Sequence, residues 1–185
     1  MAIKIKSRWH NEDAERSPAE IAGTLAFISW RLAVDQAIAL HGQRFIYEND
    51  AQRLAVIQEY LCFQIQILDR LAQGYLDDQD RRTLIVGLAL KLAGLVQDNG
   101  QDLLGPGNHG RAFLDRLNER GAEYADFKLT SEGPSYPFLR HLGHQIQVLM
   151  GEREENRWVI DQVMDRDGAE VYRRLAPALV DLLGE

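Results

Sequence analysis

Apolar residues recur along this chain at intervals of three and four rather than two, and that spacing predicts helices over most of its length. The longest such pattern covers 17–42. Ser17, Pro18 and Glu20 form a capping-box start, and Gly42 is a natural stop. At about 100° per residue, Ala19, Ala22, Gly23, Ala26, Ser29, Ala33 and Ala37 share one face of small side chains. Ile21, Leu25, Ile28 and Leu32 form a second face, and Phe27, Trp30, Val34 and Ile38 a third. Only Glu20, Thr24, Arg31 and Asp35 make a polar stripe, so this helix is expected inside others.

A second helix is expected from Asn49 or Asp50 to about Gln73, amphipathic, with Leu54, Ile57, Leu61, Ile65 and Leu68 on its inner face. A third follows from Asp77 or Asp78 to Asp98, with Asn99-Gly100 as its stop. Its almost wholly apolar run from Thr83 to Val96 predicts a second buried helix. Short connections between these three favour antiparallel neighbours. After the break at 105–110, further helices are expected over 111–126, from Tyr136 to Gly151, and over 154–166. Asp167 then caps a seventh helix, which Pro177 is expected to divide because it removes a donor and crowds the preceding turn. The fold class is therefore all-α: a single-domain bundle of six or seven helices around a central buried helix, with helices 18–41 and 78–98 at the centre. It occupies 17–185, behind an N-terminal extension over 1–16 in which Ile3 to Lys6 alternates like a short strand.

Composition narrows the functions rather than the fold. The chain has 185 residues, 45% of them hydrophobic, enough for one sizeable core. Its net charge of −7 speaks against nucleic acid as a partner, since such affinity comes mainly from neutralised phosphates. The single cysteine, Cys62, allows no internal disulfide and fits a reducing cytosol, and it reads as a core residue rather than a nucleophile. No uncharged run approaches the roughly 20 residues that span a bilayer, and no signal-peptide core follows the N-terminus, so a cytoplasmic location is expected.

Few residues suggest chemistry. The loop 105–110 satisfies Gly-x-Gly-x-x-Gly, but a helix precedes it where the dinucleotide fingerprint requires a strand, and Pro106 has no N–H to offer a phosphate. His141 and His144 stand one turn apart, yet no Glu supplies the Glu-x-x-His spacing of a bundle metal site. No metal and no cofactor are therefore expected. Arg31, Asp35, Glu59 and Lys91 are charges on otherwise apolar helices. They would line a ligand pocket if they met, or form a structural ion network if they paired. Trp158 points away from the apolar arc of Val159, Ile160, Val163 and Met164, an arrangement suited to a partner contact.

With no Walker loop, nucleophile elbow, His-Glu-x-x-His or Cys-x-x-Cys in the chain, the sequence names no reaction. The expected function is a helical interaction protein: an adaptor, an assembly factor or a self-associating scaffold, most simply a homodimer through Trp158. The alternative is a small-molecule-binding or enzymatic bundle with its pocket at Arg31, Asp35, Glu59 and Lys91.

Overall fold

The computed structural model describes residues 16–184. It is all-α, with helices α1 (Pro18–Gly42), α2 (Asp50–Ala72), α3 (Asp78–Leu104), α4 (His109–Tyr124), α5 (Tyr136–Met150), the single turn α6 (Val159–Gln162) and α7 (Gly168–Leu183). Between α4 and α5 a two-residue antiparallel bridge pairs β1 (Leu129–Thr130) with β2 (Gly133–Pro134). The strand expected at Ile3 to Lys6 lies outside the described residues.

The helix starts are local events. Ser17 and Glu20 form a complete capping box, Asn49 caps α2 through the Gln52 N–H, and Asp77 caps α3 through the N–H groups of Gln79 and Asp80. Asn99-Gly100 does not stop α3, which runs on to Leu104. Instead the ring of His109 packs against Gly100 where a Cβ would stand, so this glycine serves a close approach. At Gly110, likewise, a Cβ would come within 2.6 Å of the Ala93 carbonyl oxygen, which locks the start of α4 against α3.

The centre of the molecule is α2, not α1 and α3. It touches α1, α3, α4, α5 and α7, and buries Tyr60, Leu61, Cys62, Phe63, Gln64 and Ile65 in succession, so it is not the amphipathic helix that its apolar spacing suggested. α1 and α3 are outer helices that bury one side each and leave Phe27, Ile38, Val86 and Leu90 exposed. They run parallel, side by side. Ala22 meets Gly87, the Lys91 stem lies beside Gly23, and Trp30 and Val34 share a cleft with Asn99 and Leu103. The other end of the core is aromatic, with Phe63, Tyr124 and Phe138 in mutual contact and Arg70 over the Phe138 ring at 4.9 Å. Arg70 also donates to the carbonyls of Tyr124 and Phe127 and so closes the end of α4.

The C-terminal third departs from expectation. In place of one helix over 154–166 there is a 3₁₀ turn (Glu154–Asn156), then α6, then a π turn (Val163–Asp167) that runs directly into α7. Buried Asn156 explains the break: its side chain bonds the Ile46 N–H and the carbonyls of Ile46 and Met150, pinning the α1–α2 connection. Pro177 does not divide α7. It lies inside a continuous helix, exposed on the same face as Arg173 four residues earlier, so water can solvate the carbonyl it leaves unpaired.

Candidate functional site

Two adjacent residues at the middle of α2 aim polar groups in different directions, and each builds a network. Glu59, 0% exposed, turns toward α4 and α5. Arg120 grips it with two parallel bonds of 2.8 and 2.9 Å, and Arg116 adds a charge at 3.8 Å. Arg120 also donates to Gln145 and to Glu123, and Glu123 reaches His141 at 2.9 Å. Burial pulls the Arg120 guanidinium down, but its bonds and charge pairing with Glu59 and Glu123 outweigh that and hold it above the ordinary arginine value. Both oxygens of Glu59 are occupied by protein donors. This network is closed and joins three helices.

Tyr60 turns the other way and builds the open site. Its hydroxyl donates to Asp167 Oδ2 at 2.5 Å, while Gln36 on α1 donates to the Asp167 backbone carbonyl at 2.9 Å. Asp167 ends the π turn. A π turn inserts one residue into the helical ladder and so shifts where the following side chains point. As a result Asp167 does not cap α7; it makes no capping bond and points inward. Burial pushes its carboxyl above the ordinary 3.8, against the opposing pull of the bonds from Tyr60 and Gln162 and the charge of Arg166. Burial likewise drives the Tyr60 hydroxyl well above 10.0, so it stays a donor. Above this network a groove between α1 and α7 encloses about 440 Å³, with Leu32, Asp35, Gln36 and Ala39 on one wall and Arg166, Asp167, Glu170 and Arg174 on the other.

The four charges expected to share a pocket are separated. Glu59 is sealed in its network. Asp35 lines the α1–α7 groove. Arg31 is exposed with its guanidinium 5.9 Å from the Phe27 ring, and Lys91 is exposed on α3 with its stem beside Gly23. His141 binds Glu123, whereas His144 is exposed, and no group of three or more metal-ligating side chains converges among the described residues. In the 105–110 loop, the Gly110 N–H is taken by Gln97 and the His109 ring bonds the Gly105 carbonyl, as in a plain helix-to-helix connection. Cys62 is buried, and burial raises its thiol far above the reactive range. Trp158 is 59% exposed, with Arg157 stacked 4.7 Å over its ring.

The sequence reading missed Arg116, Arg120, Tyr60 and Asp167. A signal existed for the first pair: two arginines one turn apart on α4 match Glu59, the carboxylate in the middle of α2, whose other two lie near its ends. None existed for Asp167, whose inward turn depends on the π insertion. Among the described residues, no helix is long and apolar enough to cross a membrane. No family model matches the chain, and comparison with curated proteins and with solved structures also finds no similar protein.

Proposed function

We propose that this chain is a helical interaction protein whose docking surface is the outward face of α3, and that its partner there is a second copy of the same chain. The observation that carries the reading is an uncovered stripe, Val86, Leu90 and Gly94, at successive turns of α3. Val86 is 52% and Leu90 59% exposed, and a Cβ at Gly94 would meet nothing within 4 Å among the described residues. Glycine in a helix interior costs roughly 1 kcal/mol against alanine. Among the described residues no contact requires it at 94, and close approach of a backbone from outside would account for it.

The charges around the stripe fit an antiparallel, two-fold pairing. Lys91 and Asp98 lie on one flank of the stripe, three and four residues to either side of Gly94. If two α3 helices cross at Gly94, Lys91 of each copy faces Asp98 of the other, so complementary charges fix the register. The parallel offset of α1 against α3 brings exposed Phe27 level with the crossing and widens the apolar area. Trp158 lies on a different element, at a cleft shared with Phe45 and Gln162.

Sedimentation equilibrium over a micromolar range is the test. The wild type is expected to dimerise, Leu90→Glu to remain monomeric with an unchanged helical spectrum, and Lys91→Asp with Asp98→Lys together to recover association lost in either alone. A monomeric wild type rejects the reading. A dimer abolished by Trp158→Ser but not by Leu90→Glu moves the interface to α6.

A further inference from the structure

The groove between α1 and α7 has the polarity of a binding site for a small zwitterion, and it lies on the flank of α1 turned away from α3, independent of the self-association above. Its inner end presents acceptors that the protein does not satisfy. Gln36 is only 5% exposed; its amide nitrogen is committed to the Asp167 carbonyl, so its orientation is set, and Oε1 has no partner among the described residues. Asp167 Oδ2 accepts from the Tyr60 hydroxyl, but among the described residues Oδ1 has only Gln162 at 3.5 Å, too long for a good bond. A buried acceptor without a donor is costly, so a donor at this end is favoured. The outer end is of mixed charge, with Asp35, Asp165 and Glu170 beside three arginines. Arg173 pairs with Glu170 at 3.0 Å, whereas Arg166 makes no ion pair among the described residues and Arg174 reaches Glu170 only at 3.9 Å, so these two guanidinium groups are the ones that could receive an anion. Leu32 and Ala39 supply an apolar strip along the α1 wall.

We propose that this groove binds a small aliphatic α-amino acid: its ammonium group on Asp167 Oδ1 and Gln36 Oε1, its carboxylate on Arg166 and Arg174, and its side chain along Leu32 and Ala39. The π turn is what makes this possible, because it brings the Asp167 carboxyl to the groove's inner end while Arg166 of the same turn and Arg174 of α7 stay exposed at the rim.

Titration of the full chain with L-leucine up to 10 mM, followed by amide chemical shifts, tests the proposal. The expected result is saturable perturbation of the 35–36 and 163–167 amides. L-leucinamide, which lacks the carboxylate, and 4-methylpentanoate, which lacks the ammonium, should each bind at least tenfold more weakly. Arg166→Ala with Arg174→Ala, both solvent-facing, and Asp167→Asn, which keeps the Tyr60 bond, should each weaken leucine tenfold or more with the thermal midpoint monitored in parallel. Absence of saturable shifts at 10 mM overturns the proposal. So does equal binding of leucine and its two truncated analogues, or perturbation confined to another part of the molecule.

Discussion

Arg120→Ala tests whether the network around Glu59 works by compensating a buried charge. Glu59 is completely enclosed, so no water can replace the two guanidinium bonds at 2.8 and 2.9 Å. Removing one partner of a buried pair leaves an uncompensated charge and typically costs about 3–5 kcal/mol. Two details place the effect toward the lower end of that range. Arg116 stays within 3.8 Å of Glu59 and shares part of its charge, and Arg120's bond to Glu123 is half-exposed, worth roughly 0–1 kcal/mol. For a chain of this size each kcal/mol moves the thermal midpoint by about 2–4 °C, so a loss near 3 kcal/mol should lower the midpoint by about 6–12 °C. The double variant Glu59→Leu with Arg120→Met removes both charges and should recover most of the loss, since a packed apolar pair commonly equals a buried ion pair. Urea unfolding followed by circular dichroism at pH 7 gives both numbers. A loss below about 1 kcal/mol for Arg120→Ala, or a double variant as unstable as the single, would refute the claim that the network works by compensating a buried charge.

Two further outcomes follow from the C-terminal third. Burial raises the Asp167 carboxyl, so folding takes up a proton there; its contribution is fully present below 3.8 and is lost as pH rises through the higher folded value. Asp167→Asn keeps an acceptor for Tyr60 and should flatten the pH dependence of the unfolding midpoint above 3.8; an unaltered profile would exclude Asp167 as its source. Pro177→Ala restores a donor for the solvent-facing Arg173 carbonyl within a continuous helix and should stabilise the protein by about 1–2 kcal/mol, the helix propensity gain less the lost rigidity of the unfolded chain. No change or a decrease in the urea midpoint would show that the proline is otherwise compensated.

Helix positions were legible in the sequence because they rest on local chemistry. The Ser17–Glu20 box, the Asn49 and Asp77 caps and the period of the apolar positions act within a turn or two of chain. The outward aim of Trp158 was legible for the same reason. Which helix is central was not. Apolar residues all around α1 suggested burial, yet α2 is enclosed because five other helices converge on it, and burial of Glu59 and Gln64 there is a property of its neighbours.

The candidate site divides along the same line. Asp35 was legible as an unusual charge, and it does line a groove, but Arg31 and Lys91 stand on other surfaces, and Glu59 is sealed by arginines 57 and 61 residues away in sequence. Asp167 looked like a helix cap, since an Asp before Gly-Ala-Glu usually is one. Only the π turn, the Tyr60 hydroxyl 107 residues earlier and the Gln36 amide 131 residues earlier turn it inward. Periodicity and capping are decided by neighbours along the chain. The meeting of α1, α2 and α7 at one carboxylate is decided by how whole helices pack, and no local pattern encodes it.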